Sequence, residues 1–402
     1  MRLKINHYLG GIFLIAGTTI GVGMLGTPVV TGFSGFIPSL SLFAFCWLIM
    51  LCSAFFFLDV NLSLRGEPNM ISMAGKTLGT IGKAVSWVVY LLLFYSLLAA
   101  YISASAPLFS NGFTALTGWE VPPLLAPFFL PLLFGGFIYL GTLGVDMVNR
   151  FLMVGLLVSY FLLIGSTQSS LSMDLLEHAD FKALPVAVTV ILTSFGYHII
   201  IPSLTTYMNH DRKHLILTIV FGSLLSLLAY SVFQLIALGT VPIPALTAAF
   251  ENSEPVTAAL AKVVQNKTVA TLAHFFSFFA IITSFLGVSL SLSDFLTDGF
   301  KIKKTWEGRL IAISLTFVPP IVFVMSYPKG FYKALEYSGA LVAILLILLP
   351  ALMAFKLKKP TFYRSAIGRL VLCLVALFAI GVVILDIFEQ LGALKPLISR
   401  YV

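Results

Sequence analysis

Residues 17–28 read Gly17-Thr18-Thr19-Ile20-Gly21-Val22-Gly23-Met24-Leu25-Gly26-Thr27-Pro28, and they lie inside an apolar run that begins near residue 7. Glycine costs about 1 kcal/mol relative to alanine in a helix interior, and proline costs about 3 kcal/mol. A helix with so many of both is expected to unwind at 17–23 and to restart near Met24. Close packing of small residues against a neighbouring helix is the alternative explanation of these glycines.

The rest of the chain is too apolar for a protein that faces water. Of its 402 residues, 59% are hydrophobic and 10% are charged, whereas soluble domains carry about 25% charged residues. The apolar residues form runs of about 20, the length that spans the hydrocarbon core of a bilayer as a helix. Backbone groups must be paired with each other inside lipid. The composition therefore predicts an all-α integral membrane protein, with the lipid bilayer as its surroundings.

The apolar runs predict about eleven spans. They are expected at 7–33, 37–62, 81–109, 124–143, 150–168, 185–208, 215–239, 268–293, 309–326, 331–355 and 369–391. We predict that 1–402 form a single polytopic membrane domain. Residues 7–168 and 185–355 would be two five-span halves, followed by one additional C-terminal helix. Because five is odd, the second half enters the membrane from the opposite side, so the halves would be inverted repeats.

The basic residues predict the orientation of the spans. All 24 Lys and Arg residues lie in the predicted loops or at span ends, seventeen on the side of the N-terminus and seven on the other side. Cytoplasmic loops of membrane proteins carry an excess of Lys and Arg. We therefore expect a cytoplasmic N-terminus and an outside C-terminus. The same bias explains the net charge of +8, so nucleic acid is not an expected partner.

A second interruption is expected in the sixth span, where Gly196 lies mid-span and Pro202 follows six residues later. Breaks at matching positions of two repeats are the best sequence indication of a transporter's midplane site. A broken helix exposes unpaired N–H groups where its second half begins and unpaired C=O groups where its first half ends. The N–H groups suit a carboxylate and the C=O groups suit a cation. Two adjacent breaks would therefore bind the backbone of a zwitterionic amino acid.

Ionisable side chains are rare within the predicted spans. Asp59, Glu336, Asp386 and Glu389 lie near span ends, where solvated head groups are expected. His198 differs because it lies deep in the sixth span and titrates near neutral pH. It is a candidate for proton coupling or substrate contact, and equally for a neutral histidine that hydrogen-bonds the freed backbone carbonyls.

With these motifs in place, the chain resembles the aromatic (and hydroxy) amino acid permease family, most closely its tyrosine-specific branch. That family belongs to the amino acid/polyamine/organocation transporter superfamily. Besides 17–28, the resemblance rests on Ala100-Tyr-Ile-Ser103, Thr193-Ser-Phe-Gly-Tyr-His198 with Ile201-Pro202, Thr283-Ser-Phe-Leu-Gly-Val288, Asp294-Phe-Leu-Thr-Asp-Gly299 and Leu348-Leu-Pro-Ala-Leu-Met353. It extends from about residue 8 to 390, essentially the whole chain.

The resemblance implies a leucine-transporter-like fold, a five-plus-five inverted repeat with discontinuous helices 1 and 6. It also implies proton-coupled uptake of an aromatic L-amino acid, tyrosine first, across the bacterial inner membrane. The stretch 17–23 would hold the α-carboxylate, 194–198 would help to bind the α-amino group, and Tyr101 with 283–285 would border the pocket. The candidate substrate-binding residues are Gly17, Thr18, Thr19, Gly21, Val22, Gly23, Tyr101, Ser194, Phe195, Gly196, Tyr197, His198, Thr283, Ser284 and Phe285.

The chain departs from the expected family pattern in two places. Ala104 and Ala106 stand where the family tends to have glycines, which would narrow the pocket and leaves the substrate open between tyrosine, tryptophan and another amino acid. Span 5 has no lysine at 151–168 to act as a built-in cation, so the carrier of the proton is unassigned apart from His198. Neutral oxygens of span 1 with those of 283–284 could instead hold sodium.

Other classes of function find little support in the sequence. An enzyme would need paired carboxylates, a histidine-rich metal set or a serine/lysine dyad inside the membrane, and no such set is visible. The three cysteines lack metal-site spacing, so neither a metal nor a cofactor is expected, only a coupling ion. The sequence shows no ring of charged residues of the kind that lines a channel, so a channel is not indicated. The G-x-G-x-x-G of Gly21, Gly23 and Gly26 follows no strand, so it does not indicate a dinucleotide site. The oligomeric state is open.

Overall fold

The structure is a computed structural model, and it describes residues 2–64, 66, 68–140, 142–303, 305–357 and 361–401. Over these residues it contains helices and turns but no strand, which confirms the predicted all-α fold class. The helices are α1 Arg2–Thr19, α2 Val22–Gly32, α3 Phe36–Ser63, α4 Met70–Thr117, α5 Phe129–Leu140, α6 Thr142–Thr167, α7 Val188–Ser194, α8 Ile201–Tyr207, α9 Arg212–Thr240, α10 Ile243–Glu251, α11 Val256–Val264, α12 Lys267–Gly299, α13 Trp306–Ser326, α14 Phe331–Val342, α15 Leu349–Phe355, α16 Ala366–Gln390 and α17 Lys395–Ile398.

The described residues form nine helical segments that are long and apolar enough to cross a membrane, and the bent pair α1–α2 makes a tenth. The fourth predicted span, 124–143, is instead a shorter apolar helix, the 3-residue turn Ala126–Phe128 followed by the 12-residue α5. At 1.5 Å per residue this helix is shorter than a bilayer core of about 30 Å. The chain is thus a multi-pass membrane protein.

The first span is broken where its glycines predict a break, but the break is shorter than expected. The axes of α1 and α2 meet at an angle of 54°. Only Ile20 and Gly21 leave the helix, not the whole of 17–23. The Thr18 hydroxyl donates to the Ile15 carbonyl at 2.8 Å. That bond and the backbone hydrogen bonds of the helix keep the last turn of α1 helical despite Gly17.

The sixth span is interrupted more gently. Phe195 and Gly196 end α7, a 3₁₀ turn covers Tyr197–Ile200, and α8 continues the path of the chain. The segment Phe181–Tyr207 therefore counts as one apolar span, and α1–α2 is the one pair among the described helices that bends by more than 40° at a short break. Both predicted interruptions exist, with different geometries.

The long helices pack in pairs that mirror each other along the chain. The third span, α4, packs on the tenth, α14, and the eighth, α12, packs on the fifth, α6. In the same way α1 packs on the seventh span, α9, while the second span, α3, packs on α7 and α8 of the sixth. If spans 1–5 correspond in order to spans 6–10, the contact between spans 3 and 10 corresponds to that between spans 8 and 5. The contact between spans 1 and 7 then corresponds to that between spans 6 and 2. The inverted relation of the halves stays a prediction.

Two carboxylates that were expected to be solvated are buried. Asp59 is 7% exposed and accepts hydrogen bonds from Arg212 Nε at 2.9 Å and from the Tyr363 hydroxyl at 2.6 Å. Asp386 is 5% exposed and accepts a hydrogen bond from the Gln390 amide at 2.7 Å. The prediction was wrong for both residues because neighbouring segments cover the span ends, which position along the chain does not reveal.

Candidate functional site

A cavity of about 390 Å³, here called the central cavity, lies between the two interrupted spans. Its volume falls in the range of about 300–1,000 Å³ that is typical of small-molecule sites. It is lined by Gly17, Thr18, Thr19, Gly21, Val22, Gly23, Phe94, Leu97, Tyr101, Asn149, Met153, Thr193, Ser194, Gly196, Tyr197, Ile199, Ile200, Ser203, Thr283, Ser284, Gly287, Val288, Ser291 and Leu335.

The structure brings most of the sequence-predicted site residues to this cavity. Those in its wall are Gly17, Thr18, Thr19, Gly21, Val22, Gly23, Tyr101, Ser194, Gly196, Tyr197, Thr283 and Ser284. They come from four separate spans, so their common location is a property of the tertiary structure. Their role in binding a substrate stays a prediction.

Phe195, His198 and Phe285 were predicted with this group, but they do not line the cavity. Phe195 is fully buried and its ring centroid lies 5.5 Å from that of Tyr230. Phe285 is also fully buried and stacks on Phe317 with centroids 5.4 Å apart. Both rings pack between helices, because residues next to a cavity-lining position on a helix point in other directions.

His198 is buried in the protein interior, with no exposed surface. Its ring stacks on Tyr197 at 5.1 Å and meets the edge of Phe57 at 6.2 Å. The Met50 backbone lies near the imidazole, yet neither ring nitrogen forms a hydrogen bond of good geometry with any described residue. The expected alternative of a histidine that bonds the freed carbonyls of the break is therefore not observed.

The first break supplies hydrogen-bond donors to the cavity. No side chain caps α2, whose N-terminal neighbour is Gly21. The first N–H groups of a helix have no partner within it, and the Met24 N–H already donates to the Gly21 carbonyl at 3.0 Å. The N–H groups of Val22 and Gly23 therefore remain for a ligand, at the positively polarised end of the helix. Both residues line the cavity.

Close packing also requires glycine at this break. A Cβ on Gly21 would overlap the Ser284 hydroxyl of α12, and a Cβ on Gly23 would overlap the Ser194 hydroxyl of α7. The two explanations offered for the glycines thus apply together. The absence of side chains lets α2 approach its neighbours, and it leaves the adjacent amide groups uncovered.

The wall of the central cavity contains no Asp, Glu, Lys, Arg or His among the described residues. Two of its hydroxyl groups already donate within their own helices: Thr283 donates to the Phe279 carbonyl at 2.8 Å and Ser194 donates to the Val190 carbonyl at 2.9 Å. Their oxygen lone pairs stay available as acceptors. The cavity therefore offers both amide donors and neutral oxygen acceptors.

Asn149 is a cavity residue that the sequence analysis missed. The predicted spans leave Asn149 in a loop between 143 and 150, whereas α6 begins at Thr142 and carries Asn149 to the cavity wall. Its buried Oδ1 has no hydrogen-bond partner among the described residues. The apolar lining residues Phe94, Leu97 and Met153 were missed because nothing distinguishes them from lipid-facing residues in the sequence.

A larger cavity of about 860 Å³, here called the vestibule, lies beside the central cavity, between the first turns of α4 and the end of α12. Ser291 lines both cavities. On the opposite side the central cavity is covered by α14, where the Thr193 hydroxyl donates to the Leu335 carbonyl at 3.3 Å. Gly339 of α14 also lies too close to the α7 backbone to accept a Cβ.

Multiple apolar spans around a polar, uncharged cavity between two interrupted helices define a membrane transporter as the class of protein. The sequence profile of the Tryptophan/tyrosine permease family matches residues 4–386, and the chain belongs to this family. It is a multi-pass membrane permease and not an enzyme. The resemblance to the aromatic amino acid permeases is confirmed.

Individual relatives match over nearly their whole length. The chain is 31% identical to the Tryptophan-specific transport protein of Shigella flexneri over 399 residues, which cover 96% of each chain. It is 31% identical to the Tyrosine-specific transport system 2 of Haemophilus influenzae over 400 residues, covering 97% and 98%. It is 27% identical to the Low affinity tryptophan permease of Escherichia coli over 388 residues, covering 93% and 94%. Identity thus favours neither substrate name.

Proposed function

We propose that the chain imports aromatic amino acids, with tyrosine as the preferred substrate, across the bacterial inner membrane by proton symport and alternating access. The central cavity carries this proposal, because it pairs free amide donors with neutral oxygen acceptors and aromatic surface. A zwitterion needs a donor for its carboxylate and an acceptor for its ammonium group, but no net charge in its site. The names of the relatives, which mention tryptophan or tyrosine, support the aromatic side chain.

The amide groups of Val22 and Gly23 receive the α-carboxylate. The ammonium group is placed near the hydroxyl oxygens of Ser194 and Thr283, which accept hydrogen bonds. The aromatic ring then occupies the part of the cavity with apolar lining residues. Asn149 lies in the same wall with an unpaired amide oxygen, so it is a suitable partner for a phenol hydroxyl or an indole N–H, both of which are donors.

Tryptophan transport is the second candidate, because a tryptophan-specific and a tyrosine-specific relative have the same 31% identity to the chain. The two ligands share their backbone and differ in ring size and in the position of one donor. Competition of labelled tyrosine uptake by unlabelled tyrosine, tryptophan and phenylalanine orders the three affinities. A lower inhibition constant for tryptophan than for tyrosine would overturn the proposed preference.

The excess of basic residues on the side of the N-terminus supports a cytoplasmic N-terminus and an outside C-terminus. With that orientation the vestibule lies on the cytoplasmic side and the contact between Thr193 and Leu335 lies on the outer side. The structure then corresponds to an inward-facing state. Alternating access requires α14 to separate from α7 while α4 and α12 close over the vestibule.

His198 is proposed as the proton carrier. A buried imidazolium without a partner costs several kcal/mol, so His198 is neutral in the inward-facing state. Rearrangement of the sixth span would bring the ring to water or to an acceptor, where it binds a proton. Return to the present packing against Tyr197 and Phe57 would then release the proton on the cytoplasmic side.

The experiment is uptake of radiolabelled tyrosine into proteoliposomes that contain the purified full chain. Uptake should accumulate tyrosine when an inward proton gradient is imposed and should stop when a protonophore removes it. Replacement of external sodium by choline should leave the rate unchanged. Accumulation that needs sodium would overturn proton symport, and absence of saturable uptake of any aromatic amino acid would overturn the proposed function.

A further inference from the structure

The vestibule has a partly exposed aromatic surface. Trp87 and Tyr90 of α4 and Phe295 of α12 all line it, and each is partly buried. The Phe295 centroid lies 5.4 Å from that of Trp87 and 4.7 Å from that of Tyr90. Aromatic rings prefer such offset or edge contacts at about 4.5–7 Å. The three rings therefore form a preassembled surface on which a further ring can pack.

The vestibule also holds charges of both signs. Five charged residues line it, namely Lys76, Lys83, Asp294, Asp298 and Lys301. Lys76 and Asp294 already interact with other groups. Lys83 and Asp298 are exposed, and neither forms an ion pair with any described residue. An unpaired cation and an unpaired anion beside an aromatic surface match the three parts of an aromatic zwitterion.

The aromatic surface continues into the central cavity. Tyr90 of the vestibule stacks on Phe94 with centroids 4.4 Å apart, and Phe94 lines the central cavity. Ser291 lies at the border of both cavities. A ligand that leaves the central cavity towards the vestibule thus passes from the Phe94 ring to the Tyr90 ring, which are in contact.

We propose that the vestibule is a second binding site for an aromatic amino acid, occupied after release from the central cavity. The ring packs on Trp87 and Phe295, the ammonium group pairs with Asp298, and the carboxylate pairs with Lys83. This inference rests on the proposed function and adds a second ligand position to it. The two sites use different chemistry, because the central cavity offers backbone dipoles and the vestibule offers full charges in contact with water.

The test is the number of labelled tyrosine molecules bound per chain at saturation, measured by equilibrium dialysis of the purified full chain in detergent. The wild type should bind two, and Trp87→Ala should bind one with the affinity of the tighter site. Asp298→Asn should weaken the second site about tenfold or more, in proportion to a lost charge pair. Raised salt should weaken the same site, because exposed charges are screened.

Lys303→Gln and Trp306→Ala are the matched controls, since both residues follow Lys301 within a few positions in the chain but do not line the vestibule. Both variants should bind two tyrosines. Retention of one site in Trp87→Ala also shows that this variant is folded. A wild type that takes up tyrosine but binds only one molecule, unaffected by Trp87→Ala, would overturn the second site and leave the proposed function standing. A wild type without uptake or binding would overturn both.

Discussion

The first and the sixth spans are both interrupted by glycine, yet the chain leaves the helix to different extents. In the first span the axis bends by 54° around Ile20 and Gly21. In the sixth span the helix tightens into the 3₁₀ turn Tyr197–Ile200, and the segment still passes as one span. The first break therefore exposes the start of a new helix at a sharp bend, whereas in the second the chain leaves the helix at Phe195 and Gly196 and resumes through a 3₁₀ turn.

The surroundings of the two glycines account for this difference. A Cβ on Gly21 would overlap the Ser284 hydroxyl, whereas a Cβ on Gly196 would lie 3.2 Å from the Thr193 carbonyl and 3.6 Å from Leu346. Gly21 is thus required by the approach of another helix, and Gly196 is close to tolerating a methyl group. The same residue type at matched positions serves two different physical constraints.

The largest effect is expected from Gly21→Ala. The added methyl group must displace Ser284 or move α2, so tyrosine uptake should fall at least about tenfold, equivalent to about 1.4 kcal/mol. Ser284→Ala removes the overlapping hydroxyl, and the double variant should recover much of the lost rate. Gly381→Ala is the control, because nothing lies within 4 Å of its added Cβ. Equal rates for Gly21→Ala and Gly381→Ala would contradict a steric requirement for glycine at position 21.

The next effect concerns the role of the sixth span in coupling. His198→Phe keeps an aromatic ring against Tyr197 and Phe57 but cannot bind a proton. Exchange of labelled for unlabelled tyrosine should stay within about threefold of the wild type, while accumulation driven by a proton gradient should be lost. Both are measured in the same proteoliposomes. Wild-type accumulation by the variant would exclude His198 as the proton carrier.

A small effect is expected from Gly196→Ala, which sharpens the contrast with Gly21. The methyl group needs a shift of only a few tenths of an ångström, so uptake should fall by less than about threefold, or under ~0.7 kcal/mol. The measurement is the initial rate of tyrosine uptake beside that of Gly21→Ala. A loss as large as that of Gly21→Ala would mean that the two breaks are equally constrained.

The smallest effect is expected on stability at acid pH. Among the described residues no carboxylate lies at either break, so carboxylates in the loops must account for any dependence of stability on pH. A hydrogen bond with the His214 side chain, together with backbone amides, lowers the pKa of Asp211, the exposed N-cap of α9. A lowered pKa stabilises the fold above the ordinary value of about 3.9 and loses that contribution as pH falls through the lower folded value.

Asp211→Asn keeps the cap but removes the charge. Its thermal unfolding midpoint should therefore lie below that of the wild type at about pH 6. The two midpoints should be closer at about pH 3, where the wild-type carboxylate is also neutralised. Differential scanning fluorimetry of both proteins at the two pH values measures this. A difference that grows on acidification would contradict the assigned sign.

Much of the fold follows from hydropathy along the chain. The apolar runs predicted the spans, and in α3, α9 and α13 the observed boundaries lie within a few residues of the expected ones. The start of α4 at Met70 was missed, because Gly79, with a positive φ of 77°, joins a short preceding helix to the span. The short helix Ala126–Leu140 was predicted as a full span because its composition, unlike its length, is that of a membrane helix.

The sequence predicted the parts of the site that depend on backbone groups. It did not predict the parts that depend on the direction in which a side chain points. Gly21 and Gly23 line the central cavity as expected, since the helix breaks at Gly21 within the glycine-rich stretch that predicted a break. Phe195 and Phe285 belong to the same motifs but point into the packed interior. Asn149 lines the cavity although hydropathy predicts a loop at this position.

The sequence by itself determined that the chain crosses a membrane many times, that the first and sixth spans are interrupted, and which family it belongs to. These properties depend on the residues within each segment and on the free energy of forming a helix from them. They do not depend on how the segments pack together. Only the tertiary structure decided that the first interruption bends the chain by 54°, while the sixth span remains a single apolar segment. It also decided which side chains face the cavity, and that Asp59 and Asp386 are buried. These outcomes depend on distances between helices that are far apart in the chain, and hydropathy does not encode those distances.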